Sequence, residues 1–250
     1  MQNLLKNLGI KIVILSRGRA DAITTTKLLP DFIEVLVPES QREIYESSIS
    51  NPVITTPDDI KGLGVLRNWC LSNFEEETVI MLDDDLYALY CNTGRHARQI
   101  KDKMEVLEII VNTAIMAKDA GVGVFGFFQT DIRKYKPTDP FSLCTWVGGL
   151  IGVIGKGIRF RNDRFKVDID FCLTNLLVKR IIWCDNRYTF YQNRDNNKGG
   201  NAEFRNLEDY KKSCDTLKTK WGKYINVKED GYGSQARITL KVKRKQDIKI

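Results

Sequence analysis

The chain has 250 residues, of which 42% are hydrophobic and 28% charged, and this suffices for one large packed domain or one domain with an appendage. No apolar run approaches the roughly 20 residues that span a bilayer, and the chain does not start with a secretory signal, so we expect a soluble, cytoplasmic protein with no membrane partner. Six cysteines without a CxxC pair and one histidine exclude a zinc finger and a histidine-rich metal site, and the net charge of +7 is concentrated near the carboxyl end.

The first third of the chain alternates strand and helix patterns. Residues 10–15 (IKIVIL) form a β-branched apolar run, and a polar turn and a helical pattern that reaches Leu29 follow it. The alternation continues through two more strand patterns and two more helix patterns, at residues 33–37, 41–48, 52–56 and 65–74. It predicts an α/β fold with a mostly parallel, doubly wound sheet flanked by helices.

Two segments of this part carry side chains suited to binding a phosphate-containing donor, such as a nucleotide. Ser16, Arg17 and Arg19 lie in the turn after the first strand, where a helix start and arginines can receive a phosphate or a nucleotide base. Arg67 and Asn68 lie about one turn into a later helix and are candidates for binding a diphosphate or a ribose. The turn is neither a P-loop nor a GxGxxG fingerprint, and an ordinary polar loop remains an alternative.

Residues 78–86 (TVIMLDDDL) are the most informative stretch. A continuous apolar run predicts a strand buried on both faces, and three aspartates end it. Ligands bind at the carboxyl ends of strands in open α/β sheets, and side-chain alternation places Asp83 and Asp85 on one side with Asp84 on the other. Clustered carboxylates favour a hard cation, Mg²⁺ or Mn²⁺, which takes its other ligands from phosphate and water. The alternative is a solvated polar turn.

The middle of the chain supplies a helix, a strand and a glycine-bearing apolar segment. The patterns predict an amphipathic helix over residues 103–120 and a buried strand over 122–128. In the apolar segment beyond the next polar loop, Gly148 and Gly149 permit close approach of the backbone to a ligand, and Trp146 could line a pocket. These three residues are candidates for binding the acceptor, although a bulge in a strand explains the glycines nearly as well.

Asp168 and Asp170 stand just before a predicted helix, in the segment FKVDIDFCLTNLLVKR. One aspartate there can cap the helix, and two exceed what a cap requires. A carboxylate fixed at a helix start can accept a proton from an attacking hydroxyl or bind sugar hydroxyls. These two residues are therefore the candidates for a catalytic base.

The last part of the chain is basic. A strand pattern at residues 181–191 leads into a polar loop, 192–206, that could close over a bound nucleotide. Residues 205–250 include 13 lysines and arginines against 6 acids, with a basic helix predicted over 207–221. Such a surface could bind a polyanion such as nucleic acid, or it could serve only to keep the protein soluble, and charge alone favours neither explanation. We therefore divide the chain into a domain over 1–204 and a basic extension, a candidate acceptor-binding part.

The order of these motifs resembles that of the GT-A nucleotide-sugar glycosyltransferases: SRGR after the first strand, VPE after the second, RNW in a helix, DDD at a strand end, then GG and DID. In that fold a DxD motif binds a divalent ion that bridges the diphosphate of the donor. The resemblance implies that Asp83 and Asp85 bind the metal and that Asp84 contacts the donor. The later acidic motif, which supplies the catalytic base in inverting members, matches Asp168 and Asp170. The resemblance covers roughly the first 200 residues.

Within that fold, SRGR, VPES, RNW and DDD look like those of a phage group, the TET-associated glycosyltransferases, which are implicated in decorating hydroxymethylated pyrimidines in DNA. The resemblance implies a nucleotide-sugar donor, first of all a UDP-sugar, with Mn²⁺ or Mg²⁺ as cofactor and double-stranded DNA as acceptor. Many GT-A enzymes have a third metal ligand, often histidine, in the C-terminal region, whereas this chain has no histidine after His96. Gln192, Asn193, Asp195 or water could take its place.

Two other functions remain open from the sequence. A sugar nucleotidyltransferase would use a similar sheet and acids, but it needs a glycine-rich signature loop, of which SRGRAD is a poor version. A non-catalytic DNA-binding module would explain the basic end of the chain and leave DDD and DID without a purpose. Inversion or retention of the sugar configuration also stays open, as do the sugar, the modified base and the oligomeric state.

Overall fold

The computed structural model describes residues 1–92, 96–129, 138–163, 166–193, 207–228 and 237–242. The helices of this part are α1 (Gln2–Asn7), α2 (Arg42–Ser48), α3 (Leu63–Asn73), α4 (Lys103–Asp119), α5 (Val167–Lys179) and α6 (Leu207–Trp221). The strands are β1 (Ile10–Leu15), β2 (Glu34–Pro38), β3 (Val53–Thr56), β4 (Thr78–Asp83), β5 (Leu86–Asn92), β6 (Ala97–Ile100), β7 (Val124–Phe128), β8 (Phe141–Ser142), β9 (Leu150–Ile154), β10 (Trp183–Gln192), β11 (Ile225–Lys228) and β12 (Arg237–Leu240).

One large sheet, in which most strands share a direction, organises the fold. Its strands follow the order β3-β2-β1-β4-β9-β7-β10-β5-β6, and β8 pairs with β10. β3, β2, β1 and β4 are mutually parallel. β7 and β10 have the same direction as β4, because β9 runs antiparallel to both β4 and β7 while β10 is parallel to β7. The predicted α/β fold with a mostly parallel sheet is confirmed.

β1 and β4 lie in the interior of this sheet. Their apolar side chains alternate between two hydrophobic clusters, one on each face. The two strands pair in parallel from Ile10 opposite Thr78 to Leu15 opposite Asp83. Their carboxyl ends therefore reach the same edge of the sheet, and the turn after β1 comes next to the aspartates after β4.

The prediction of a helix after β1 is wrong. Only a short 3₁₀ turn, Thr25–Lys27, forms in that segment. The backbone N–H groups of Thr24 and Thr25 donate to the carbonyl oxygen of Asp84 at 2.9 and 3.2 Å. Because these groups bind the chain beyond β4, the segment does not close the hydrogen bonds of an α-helix.

The segment after the aspartates forms a hairpin that the sequence patterns did not reveal. β5 pairs antiparallel with β6 on one side and with β10 on the other. The end of β10 thereby returns to the carboxyl end of β4, since Gln192 lies opposite Leu86.

The C-terminal segment packs on α5. α6 covers the predicted residues 207–221, and β11 and β12 form a separate antiparallel pair. The boundary predicted near residue 204 lies outside the described residues. No helix in the described ranges combines the length and the apolar character that a membrane span requires. A third hydrophobic cluster joins the segment to α5, and its buried members are Ile169, Leu173, Cys214, Leu217, Trp221, Ile225 and Ile238.

Candidate active site

The tip of β4, which we define as Asp83, Asp84 and Asp85, is fixed through its backbone. The N–H of Asp83 donates to the carbonyl oxygen of Gly149 at 2.7 Å, just before β9. The hydroxyl of Thr25, a fully buried residue, donates to the carbonyl oxygen of Asp83 at 2.7 Å. Sequence reasoning missed Thr25, because a single threonine in a polar segment carries no motif.

Asp84 binds the turn after β1. Ser16 Oγ donates to its Oδ2 at 2.6 Å, and Arg19 Nη1 donates to its Oδ1 at 2.7 Å. The buried Tyr45 supports this turn, since its hydroxyl lies 2.6 Å from Ser16 Oγ and accepts from the backbone N–H of Arg19 at 3.0 Å. Burial raises the pKa of Asp84, and Arg19 and Ser16 oppose that shift. The structure thus brings two of the predicted donor-binding residues to the tip of β4.

Asp83 and Asp85 converge on one atom. Gln192 Nε2 donates to Asp83 Oδ2 at 2.9 Å and to Asp85 Oδ1 at 2.7 Å. Burial and, after it, the charge of Asp83 raise the pKa of Asp85 to about 7. Two carboxylates therefore face a single point, at which the protein itself places a hydrogen-bond donor.

This point fits a hard divalent cation. Proteins commonly hold Mg²⁺ through one or two carboxylates, with phosphate and water as the other ligands. Among the described residues, no group of three or more histidines, cysteines and acids is placed to hold a metal, so Asp83 and Asp85 would share the cation with Gln192, water or a bound ligand. Asn193 donates its backbone N–H to the carbonyl oxygen of Asp85 at 3.0 Å, and Asp195 lies outside the described residues.

Arg67 lies at Asp83 as a buried cation. It is 1% exposed, its Nη2 donates to Asp83 Oδ1 at 3.3 Å, and its guanidinium lies 5.4 Å from the ring centroid of Phe160. In the part of the chain that the structure describes, its Nε and Nη1 have no hydrogen-bond partner. Buried donors without partners destabilise the folded state. Packing alone therefore does not explain an arginine at this position.

The other two predicted donor-binding residues hold neighbouring loops. Arg17 donates to the carbonyl oxygens of Asp58 and Ile60 at 3.2 and 3.1 Å. Asn68 uses both ends of its amide on Phe160, donating to the carbonyl oxygen at 2.9 Å and accepting from the backbone N–H at 2.8 Å. These side chains shape the loops beside the tip of β4.

Gly148 and Gly149 connect the tip of β4 to the start of α5. Gly149 has a φ of +69°, which favours glycine, and a Cβ there would lie 3.3 Å from Gln192 Oε1. A Cβ on Gly148 would lie 2.9 Å from Asp168 Oδ2 and 3.3 Å from the ring of Trp146. The lack of side chains at both glycines lets these neighbours approach one stretch of backbone.

The two acids of the DID motif have different surroundings. Both lie inside the first turn of α5 and not before it, because the helix already begins at Val167. Asp170 is 2% exposed and accepts from Trp221 Nε1 at 2.7 Å and from Lys220 Nζ at 2.8 Å. Asp168 is partly exposed and faces Gly148. Asp170 therefore joins α5 to α6, whereas Asp168 borders the glycine segment.

A sheet with most strands in one direction and an acidic tip on an interior strand is typical of the GT-A glycosyltransferases, which use nucleotide sugars, and solved structures agree with this fold. Glucosyl-3-phosphoglycerate synthase from Mycobacterium tuberculosis matches with a TM-score of 0.53 and 12% identity, over 95% of this chain and 88% of that one. A mycobacterial protein matches with a TM-score of 0.54 and 13% identity, over 96% of this chain and 85% of that one.

The family model of the TET-Associated Glycosyltransferases matches residues 10–200. The chain therefore belongs to the TET-associated glycosyltransferase family, which confirms the resemblance drawn from SRGR, VPES, RNW and DDD. TarS from S. aureus, in a structure of residues 1–349, matches with a TM-score of 0.45 and 14% identity over 84% of this chain, which spans 65% of that one. No protein with a curated description matches the chain.

Proposed function

We propose that the protein transfers a sugar from a nucleotide-sugar donor, a UDP-sugar, to the hydroxymethyl group of a pyrimidine in double-stranded DNA. The observation that carries this proposal is the convergence of Asp83 and Asp85 on one point at the carboxyl end of β4. Ligands of open α/β sheets bind at that edge. Membership of the TET-associated glycosyltransferases supports transfer of a sugar.

The proposed site of the donor diphosphate lies between the tip of β4 and the turn after β1. Arg19 and Ser16 line this turn, and the planar guanidinium of Arg19 is suited to phosphate oxygens. Arg67 adds a second positive charge beneath the tip, and we assign Arg17 and Asn68 to the loops that would surround the nucleoside. The structure of glucosyl-3-phosphoglycerate synthase contains Mn²⁺ and UDP, so a UDP-sugar is the first donor to test.

Asp83 and Asp85 are the proposed metal ligands, and Gln192 lies where it could become a further one. When bound, Mn²⁺ or Mg²⁺ would neutralise the negative charge that builds on the leaving diphosphate. Asp84 has a different task, because its carboxylate holds Arg19 and Ser16. Adjacent residues of one strand end thus arrange both the cation and the donor-binding turn.

In the proposed reaction the acceptor hydroxyl attacks the anomeric carbon of the sugar. The bond from that carbon to the diphosphate oxygen breaks, and the nucleoside diphosphate leaves with the electron pair. If the configuration inverts, Asp168 takes the proton of the hydroxyl, because its carboxylate borders Gly148 while that of Asp170 is bound by Lys220 and Trp221. Asp170 is then a positioning residue. If the configuration is retained, neither acid acts as this base.

The proposed acceptor side consists of Trp146, Gly148 and Gly149, together with the basic extension over residues 205–250. The lysines and arginines of the extension would bind DNA phosphates. The described part of the extension packs on α5 through the third hydrophobic cluster, so DNA bound there would lie beside the helix whose first turn carries Asp168. We assign donor binding and catalysis to residues 1–204 and place the reaction in the cytoplasm.

Incubation with hydroxymethylated duplex DNA tests the proposal. The protein is given a panel of nucleotide sugars with and without Mn²⁺. The DNA is then digested, and the masses of its nucleosides are measured by mass spectrometry. We expect one sugar on the hydroxymethylpyrimidine with a UDP-sugar and Mn²⁺, none on an unmodified duplex, and DNA binding that weakens steeply with salt. Donor hydrolysis without transfer to DNA would exclude the DNA acceptor alone. A lack of any metal-dependent donor turnover would contradict the whole proposal.

A further inference from the structure

Three tyrosines form a contact group on β5 and β10, which we call the tyrosine platform: Tyr87, Tyr90 and Tyr191. The rings of Tyr90 and Tyr191 meet edge to face with their centroids 5.0 Å apart, and the ring of Tyr87 lies 6.2 Å from that of Tyr191. Tyr87 is 49% exposed, whereas the other two are partly exposed. The platform thus offers one open aromatic ring, that of Tyr87, which packs on Tyr191, and Tyr191 packs in turn on Tyr90.

The tyrosine platform borders the tip of β4. Tyr191 directly precedes Gln192, whose Nε2 contacts two carboxylates of the tip, and Tyr87 follows Asp85 by two residues. β5 and β10 pair up to this point, with Gln192 opposite Leu86 and an irregular register between Tyr191 and Gln192. Since adjacent Cα atoms are about 3.8 Å apart, the backbones of the platform and the tip are contiguous.

Packing within the sheet explains only part of this group. Aromatic pairs across neighbouring strands stabilise a sheet, and this accounts for Tyr90 and Tyr191. It does not account for Tyr87, because a ring with half of its surface in solvent buries little. In the described ranges, Tyr87 is the one exposed large hydrophobic side chain on a strand; the others lie on helical segments and are Leu4, Ile44, Met104, Leu177, Val178 and Tyr224.

We propose that the tyrosine platform binds the pyrimidine that carries the acceptor hydroxyl, with Tyr87 stacked on the face of the base. This inference rests on the proposed function. The accepting oxygen of a hydroxymethylpyrimidine is one carbon away from the ring, so the base itself must come to the tip of β4. An enzyme that acts on a base in a duplex can swing it out of the stack, and the unstacked face then gains from an aromatic partner. The platform offers that partner beside the tip, where the hydroxyl must arrive.

The test compares Tyr87→Leu and Tyr87→Phe with the control Tyr188→Leu. Tyr188 also lies on β10, four residues before Gln192, and its ring packs edge to face against Phe127. The control therefore removes an equal ring from the strand that pairs with β5, away from the tip. Three quantities are measured for each variant: the KM for a duplex with one hydroxymethylcytosine, the KM for the UDP-sugar, and donor hydrolysis without acceptor.

We expect Tyr87→Leu to raise the KM for the duplex by about 10- to 100-fold, which is the range for loss of one base–aromatic stack. The KM for the UDP-sugar and donor hydrolysis should stay near wild type, because the donor side is untouched. Tyr87→Phe keeps the ring and should behave like wild type, as should Tyr188→Leu. Tyr87→Thr also removes the ring and introduces a residue that favours strands, so it supplies the same test if the leucine variant fails to fold.

Three results would overturn the inference: an unchanged duplex KM in Tyr87→Leu, an equal rise in the KM for the UDP-sugar, or an equal loss in Tyr87→Phe. The last of these would assign the effect to the hydroxyl and not to the ring. Failure of the proposed function has a different signature, since the wild-type protein would then hydrolyse donor without glycosylating the duplex.

Discussion

The tip of β4 and the first turn of α5 both bring aspartates to the Gly148–Gly149 segment, yet their partners differ. At the tip, two carboxylates share one side-chain amide, that of Gln192. At the start of α5, Asp170 is buried under Trp221 and Lys220. The partners of the carboxylates therefore distinguish the two regions: the acids of the tip meet one side-chain amide that a bound ligand could displace, whereas Asp170 joins two helices.

The largest effect is expected at the tip of β4. Asp83→Asn with Asp85→Asn removes both charges that face the proposed cation, so sugar transfer should fall by about 1,000-fold or more. The fold should persist, because asparagine keeps the shape of each side chain. Initial rates with UDP-sugar and Mn²⁺, beside circular dichroism, measure both. Asp119→Asn, at the exposed end of α4, is the matched control. Wild-type rates in the double variant would contradict the assignment.

Asp168→Ala should separate chemistry from stability at α5. If transfer inverts the sugar, the rate should fall by about 100- to 10,000-fold through loss of the general base. The free energy of unfolding should change by less than about 0.5 kcal/mol, since the side chain is partly exposed. Single-turnover rates and urea unfolding test both parts. An unfolding loss as large as the one expected for Asp170→Ala would place Asp168 among the structural acids.

Asp170→Ala should show the reverse pattern. It leaves the buried Trp221 Nε1 without an acceptor and Lys220 without its partner, which should lower the free energy of unfolding by about 2 kcal/mol. The reactivity of the Cys172 thiol reports whether the packing around α5 is loosened. Burial raises the pKa of this thiol to about 12 and keeps it protonated near neutral pH. Its modification by a thiol reagent should be slow in wild type and faster in the variant. Unchanged unfolding and thiol kinetics would contradict the anchoring role.

Arg67→Met is expected to have the smallest overall effect of these variants, and it concerns the affinity for the donor. The change removes two unpaired buried donors but also leaves the carboxylate of Asp83, which is 24% exposed, without its cation, so the two effects on the free energy of unfolding should nearly cancel, to within about 1 kcal/mol. Affinity for UDP with Mn²⁺, measured by calorimetry, should fall by about tenfold because a charge near the diphosphate is lost. Arg42→Met, on the exposed α2, should change neither quantity. A clear loss of stability with full affinity would make Arg67 a structural residue.

Local sequence sufficed for the tip of β4. A continuous apolar run followed by three aspartates predicts both the buried strand and the acids at its carboxyl end, and the parallel pairing of β1 with β4 adds the turn at Ser16 and Arg19. The existence of α5 was predicted for the same reason, because helix patterns are local, but the helix begins at Val167, about four residues earlier than expected.

Contacts between distant parts of the chain explain what sequence patterns missed. Trp221 reaches Asp170 across 51 residues of sequence, so nothing near that acid announces its partner. Gln192 reaches Asp83 across 109 residues, and only the family resemblance made it a candidate, beside Asn193 and Asp195. The helix expected after β1 failed for a related reason, since Thr24 and Thr25 give their N–H groups to Asp84. Tertiary hydrogen bonds there override a local helical pattern.

Anomalous diffraction from a crystal grown with Mn²⁺ and a UDP-sugar would show whether Asp83 and Asp85 hold the metal that binds the donor. We expect one manganese peak between the carboxylates of Asp83 and Asp85, with the diphosphate bound to it and Gln192 Nε2 displaced from its present hydrogen bonds. A UDP-sugar bound elsewhere, or a tip of β4 that keeps its Gln192 bridge and shows no manganese peak at saturating Mn²⁺, would contradict the metal-dependent site.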